Sequence, residues 1–458
     1  MNGPGVGTGG PAPERFARRV TAYRVVSRAY FHLPIIVVFL ATQGFRVVWI
    51  GLFLALYGLV VSLGDRVVAP VRARLSLPGS LVVGEAVKCL GLVVLLAPLS
   101  TATIVVSQVL SGLGFSMTAG TDAALASTLR SGQEYRTQES RTQMGMFVMS
   151  FAAGVTGAFV FTLWHRLPFA LSALSCLAAA GIIVRQRVPL RSAEDVSPLV
   201  PTRGGDTEAV SSRARFWASY YSVNRAILLS TYTYLLPVLL FFKVHLRVEM
   251  FGAVLGLYTI FGLLAARLSL KLTQRGESRY AFFATGAATV VGLALLIPGQ
   301  GWLAGVSIAL LGLAGGLVRP ATMMFLGPAM GDITASGRQR VMRSLERTQG
   351  RIQAALLVLT GACYAATHSV AGSFVALALA ALAYNLVALG LAARASRHEL
   401  VNSGGASQPM TVPGPSRSQE KDAGSVVATP ALRPQPAPRA IAVHLPADEP
   451  TSSRRCLP

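Results

Sequence analysis

The stretch from Tyr30 to Leu63, YFHLPIIVVFLATQGFRVVWIGLFLALYGLVVSL, holds two apolar runs parted only by a polar break at Gln43, Gly44 and Arg46. Each run is long enough to cross the hydrocarbon of a bilayer as a helix, so the chain must fold where that surface can be covered. Roughly 200 residues later the outline returns as YLLPVLLFFKVHLRVEMFGAVLGLYTIFGLLAAR, Tyr234 to Arg267, and self-similarity at such a distance marks a duplication. Pro34 answers to Pro237, Phe39 to Phe242, and Leu54, Leu56 and Tyr57 to Leu255, Leu257 and Tyr258. A second echo keeps nearly the same offset: LSGLGFSM from Leu110 and LLGLAGGL from Leu310.

Composition agrees. Apolar residues make up 52% of the chain and charged residues 13%, more apolar surface than one soluble core would use. The net charge of +22 does not point to nucleic acid, because the arginines sit in the short joints between apolar runs. Cys89, Cys176, Cys363 and Cys456 show no paired spacing, so neither a disulfide framework nor a metal site is expected. No cluster of His, Asp, Glu or Ser marks an enzyme, and no Gly-rich loop with Lys and Ser or Thr marks an ATP-driven pump. No cofactor is expected.

The periodicity predicts an all-α membrane protein with twelve transmembrane helices in two pseudo-symmetric six-helix bundles. The first six run over 28–45, 47–64, 79–97, 102–127, 144–163 and 168–185. The second six run over 218–243, 250–270, 280–297, 302–328, 347–366 and 371–394. The domains are then a disordered basic N-terminus over 1–23, a bundle over 24–185, a linker over 186–215, a second bundle over 216–396 and a disordered tail over 397–458. Arginines crowd alternate joints: Arg66, Arg72 and Arg74; Arg130, Arg136 and Arg141; the 185–215 stretch; and Arg338 to Arg351. By the positive-inside rule both termini and the linker lie in the cytoplasm, with the protein multi-pass in the cytoplasmic membrane.

Six helices, a basic linker and six related helices resemble the plan of the major facilitator superfamily of secondary transporters, over roughly residues 24–396. The joint LGDRVVAPVRARLSL, with Gly64, Asp65 and Arg66 followed by Arg72 and Arg74, resembles a worn form of that family's Gly-Asp-Arg signature. The segment GLGFSMTAGTDAALASTL is similar to the family's glycine-rich fourth helix, and RQRVMRSLERTQGRI resembles the start of the eleventh helix in exporter-like members. The fifth helix, SFAAGVTGAFVF, has Gly154 and Gly157 but lacks the proline of drug–proton antiporters. The resemblance implies alternating access around a midplane cavity, a small-molecule substrate, a proton gradient as driving force and a monomer. Efflux of an amphipathic or drug-like compound is the leading expectation. A metabolite uptake carrier and a non-transporting membrane scaffold are the alternatives.

Charges inside spans are costly, so each is a candidate for function. Asp122 reads either as a protonatable switch or as the partner of an arginine such as Arg66 or Arg141, closing a gate. Arg319, at a matching depth beside Pro320, reads as facing the cavity, as snorkelling to the interface, or as a switch partner of Asp122, paired with it in one state and parted in another. His32 is a proton shuttle or a hydrogen-bonded packing residue. Asn224 and Arg225 open the seventh helix, where Tyr232 and Tyr234 can stack on substrate or simply pack. Asp65, Arg66, Arg141 and Glu346 are the gating candidates. Glu85 and Lys88, three apart on one face, are expected to neutralise each other.

Overall fold

The computed structural model describes residues 11–129, 132–184, 212–274, 278–329 and 335–404. These residues are helical apart from short turns, with no strand among them. Most of the expected linker (up to residue 211), the first ten residues and the tail from 405 lie outside the described residues. In the first half the helices are α1 Pro11–Val26, α2 Ile36–Thr42, α3 Val47–Ala73, α4 Leu77–Val94, α5 Thr101–Thr118, α6 Thr121–Leu129, α7 Gly132–Leu163 and α8 Leu167–Val184. In the second half α9 Ser212–Ser230 continues through a π-helical turn, Thr231–Leu235, the short α10 Leu236–Val238 and a second π-helical turn, Leu239–Lys243. Then follow α11 Val248–Gln274, α12 Ser278–Leu296, α13 Gly301–Ala329, α14 Ala335–Thr367 and α15 Val370–Gly404.

Nine of the described helical segments are long and apolar enough to cross a membrane. The expected spans 28–45, 280–297 and 347–366 are not among them. In place of the ninth expected span, 280–297, Tyr280–Leu296 is apolar but short. The 347–366 stretch forms the latter part of α14, whose earlier turns carry Arg343 and Arg347. The first expected span is a different object. The basic stretch expected to be disordered is helical from Pro11, because it is amphipathic: Phe16, Val20 and Tyr23 recur at helical spacing. They bury against Leu81, Leu125, Ala179 and Ile183, while Arg15, Arg18 and Arg19 face outward.

Between α1 and α2 the chain leaves the helix over residues 27–35. Pro34 lacks an N–H and disfavours the α conformation in its predecessor, so a break is built in. α8 covers the loosened backbone: Ser175 Oγ donates to the Ala29 carbonyl (3.0 Å) and Ser172 Oγ accepts from the His32 N–H (3.3 Å). Gly157 of α7 allows the Phe31 carbonyl to sit where a Cβ would lie. The fourth expected span is also interrupted: Ala119 turns out of α5, and Gly120, at φ +71°, lies against the backbone of Arg343.

The duplication is visible in the packing. α5 packs on both α3 and α4, and α13 packs on both α11 and α12. Within those contacts Gly112 meets the Tyr57 carbonyl, and Gly312 meets the carbonyl of its counterpart Tyr258. The halves touch along two seams, α3 on α14 and α7 on α11. Glycines line both: Gly58 against Gly350 in the first, and Gly252 against Gly154 and Val155 in the second. Small residues are what let helices approach where water does not drive them together. Outward, α3 presents Leu52, Leu59 and Leu63, an apolar surface suited to lipid.

Alanine at Gly157 should overpack the Phe31 carbonyl, at about 1–3 kcal/mol, and lower the melting temperature of the detergent-solubilised protein. Gly181, with open space around it, is the control. Gly181→Ala should leave the melting temperature unchanged or raised.

Candidate functional site: a cationic central cavity with an ion-pair clasp

The unwound segment 27–35 and the first π-helical turn of the second half line the same space. π turns widen a helix locally and gather at functional sites. Here Pro237 sits between two of them. Two chambers of about 180 Å³ each open at this place. They share a wall made by Arg28, Tyr30, Leu33, Arg225 and Leu229. The first chamber adds Arg319, Phe147, Tyr232 and Tyr258. The second adds His32, Tyr57, Lys88, Phe115, Gln108, Gln349 and Gln353. Among the described residues no Asp or Glu lines either chamber. Arg28 lies over the Phe115 ring at 5.7 Å, and Arg225 over the Tyr221 ring at 5.4 Å while donating to its hydroxyl.

At the arginine-rich end, beside the chambers, four charges form a chain. Asp122 of α6 accepts from Arg24 Nε (3.1 Å), and Arg24 forks onto Glu139 of α7 (Nη1 2.6 Å, Nη2 3.0 Å). Glu139 Oε1, which takes Arg24 Nη2, also meets Arg319 Nη2 of α13 at 2.6 Å. The last of these pairs joins the two halves of the chain. Burial pushes the Glu139 carboxyl up, but Arg24 and Arg319 more than offset it and hold it at about 2.

A second clasp lies at the end of α3. Asp65 binds Arg72 on its own helix (2.7 Å) and Arg347 of α14 (3.3 Å), and Arg351 donates to Ser62 Oγ (2.8 Å). Arg343, Arg347 and Arg351 recur every fourth residue, so one face of α14 carries a basic row. Burial, with Arg72 and Arg347 as like charges, draws Arg343 down to about 10, Asp65 opposing.

Several sequence expectations change here. Asp122 does not touch Arg319; Arg24 and Glu139 stand between them. Nor is its partner Arg66 or Arg141, both of which are exposed. In the Gly-Asp-Arg joint it is Arg72, not Arg66, that takes Asp65. Asn224 is fully buried, donates to the Tyr220 carbonyl and accepts from Asn385, away from the chambers. Tyr234 donates to the Val47 carbonyl at the far end of α3, whereas Tyr232 lies in the first chamber against Tyr258 (4.8 Å between rings). His32 bonds Ser172 Oγ through Nδ1 (2.9 Å), stacks on Phe169 and still borders the second chamber. Glu346 lines an adjoining recess, with Oε2 lacking any protein partner. Lys88 does bind Glu85 (2.6 Å), which also accepts from Tyr23 Oη (2.9 Å), but the pair borders that recess rather than the periphery.

The residues missed were Arg24, Arg28 and Glu139. Glu139 precedes the expected start of its span and looks like one more charge in a basic joint. The signal was its sign, an acid among Arg136, Arg141 and their neighbours.

Comparison with solved structures decides the fold. The human organic anion transporter MFSD10 (TETRAN) superposes with TM-score 0.63 at 14% identity, over 83% of this chain and 100% of that one. A point mutant of the peptide transporter POT gives 0.61 at 16%, over 84% and 95%. The nucleoside transporter NupG gives 0.59 at 13%, over 82% and 98%. The chain shares its fold with these transporters. These structures are membrane transporters, not enzymes. No protein-family model and no curated protein matches the sequence, so the likeness rests on the fold.

Removing Glu139 and Arg319 singly and together should reveal a coupling of about 1–3 kcal/mol in SDS-unfolding titrations, as contacting residues do. The Asp65–Arg347 pair, with Arg347 37% exposed, should couple by less than about 1 kcal/mol.

Proposed function

We propose that the chain is a secondary active transporter that moves a small amphipathic molecule by alternating access, with twelve spans in two six-helix bundles, residues 24–185 and 216–396. The observation that carries this is the cavity walled by both halves and closed at one end by ion pairs between them. On this reading the arginine-rich end faces the cytoplasm, with both termini and the 186–215 linker, and the described conformation is shut on that side. Outward transport, plasma-membrane location and a monomeric state complete the proposal.

A proton gradient is the proposed drive, and the clasp supplies a mechanism. Opening the arginine-rich end withdraws Arg319 from Glu139, which leaves the carboxylate with Arg24 alone. Losing one opposite charge while remaining partly buried raises its affinity for a proton. The closed state therefore holds fewer protons than the open one. Raising pH favours closure, and lowering it toward the Glu139 titration favours opening. Proton uptake is thus coupled to exposure of the cavity.

Proteoliposomes with an imposed pH gradient, screened against small amphipathic compounds, test the reading. Gradient-dependent accumulation of a compound is expected. Glu139→Gln should still exchange it across the membrane but fail to concentrate it, and Asp122→Asn should weaken coupling in the same sense. Normal accumulation by Glu139→Gln would remove the carboxylate from the coupling step. Absence of any gradient-driven flux would overturn the transporter reading. Single cysteines at positions 205 and 420 should resist an impermeant thiol reagent added outside intact cells; labelling would reverse the orientation.

A further inference from the structure

The charges around the chambers do not balance. Lys88 is answered by Glu85, Arg319 by Glu139, and Arg24 by Asp122 and Glu139. Arg28 and Arg225 form no ion pair among the described residues; each guanidinium lies against an aromatic ring instead. Both stand in the wall shared by the two chambers, one from the unwound segment of the first half and one from α9. Among the described residues no acid lines either chamber; the nearest are in the adjoining recess that Arg28 also borders, where Glu346 leaves Oε2 without a hydrogen-bond partner. A guanidinium held at membrane depth is expensive unless an opposite charge or water meets it, and a ring face compensates only in part.

The two chambers thus hold two fork-shaped donors, contributed by opposite halves, with no carboxylate of the described residues in their walls to face them. We infer that the ligand supplies it: the site takes a small organic anion whose carboxylate or phosphate group bridges Arg28 and Arg225. Planar guanidinium groups match both oxyanions through paired N–H donors. The body of the molecule is apolar or aromatic, because Tyr30, Leu33, Tyr232 and Tyr258 surround the two arginines. A ligand that pulls Arg28 and Arg225 together also draws the two halves together, so substrate charge and cavity closure are linked through one contact.

The inference rests on the transport reading only in taking the cavity as the substrate site, and binding can be measured apart from transport. The purified full chain in detergent is titrated with matched pairs: naphthoate against naphthamide, and naphthyl phosphate against naphthol. At least one acid should bind, about tenfold or more tighter than its neutral partner. Arg28→Gln and Arg225→Gln should each weaken the acid about tenfold while leaving the neutral compound unchanged. Arg166→Gln, whose side chain only caps the Leu96 carbonyl, should change nothing. Which acid binds better distinguishes carboxylate from phosphate recognition. Equal affinity for acid and neutral partner, no acid bound at all, or acid affinity unmoved in both variants overturns the inference. If either glutamine variant fails to give a monodisperse elution profile, the wild-type acid-to-neutral ratio decides alone. Acids that bind without gradient-driven flux would sink the transport reading and leave this one standing. Flux of neutral compounds with no preference for acids would do the reverse.

Discussion

A backbone that stops being helical inside a bilayer must find partners for the groups it frees, since hydrocarbon offers none. Residues 27–35 meet that condition with local turn hydrogen bonds, such as Ala29 N–H to the Val26 carbonyl and Leu33 N–H to that of Tyr30, and with Ser172 and Ser175 of α8, while Gly157 of α7 leaves room for the Phe31 carbonyl. The position of Arg28, Tyr30 and His32 at the chambers follows from it. Were the first span a continuous helix, these residues would follow helical spacing and could not all turn toward the same cavity. The break is therefore what makes a cavity wall out of the start of the chain. In the second half the π turn before Pro237, which places Tyr232 and Thr233 at the chambers, does the corresponding work with less disruption, since the chain keeps its helical path.

The ion-pair chain at the arginine-rich end has a different logic. Four charges buried together do not guarantee net stability, because desolvation roughly cancels their attraction. What they confer is a choice between arrangements. Breaking Glu139 from Arg319 leaves Arg24 in place as a partner, so the carboxylate is never stranded. That keeps the open state within reach, whereas an isolated buried pair would strand a charge on separation. Asp122 extends the same insurance to Arg24, which retains an acid if Glu139 becomes neutral.

Much of the fold was legible in residue order alone. Nine of the twelve expected apolar runs, separated by arginine joints, correspond to described helices long and apolar enough to span, and the Tyr57–Gly112 contact recurs as Tyr258–Gly312. Pro34 and Pro237 stood in the text as matching prolines, yet whether a proline kinks a helix or dissolves it depends on neighbours that only packing supplies. The amphipathic pattern of Phe16, Val20 and Tyr23 was present too, hidden by the Gly- and Pro-rich lead-in before it. The site was less legible. Asp122 and Arg319 draw notice because charges in apolar runs are conspicuous, but their connection passes through Arg24 and Glu139, which sit where charge is ordinary. Spacing along a chain cannot show which of many joint charges folds inward.

The seams between the halves differ from the clasps in kind, and that difference bears on motion. At Gly58 and Gly350 the two backbones approach with no side chain between them, near the middle of α3 and α14. Such a contact resists separation but offers little to interlock against a change of angle. The ion pairs of Asp65 and Arg347, and of Glu139 and Arg319, lie toward one end, while Tyr234 reaches the Val47 carbonyl toward the other. A smooth crossing flanked by polar contacts at both ends is a fulcrum. Rolling one half about it lengthens the contacts at one end as it tightens those at the other. On the proposed mechanism, charge at the arginine-rich end biases the protein toward the closed clasp until Glu139 takes up a proton, and an anion held between Arg28 and Arg225 adds to that closure.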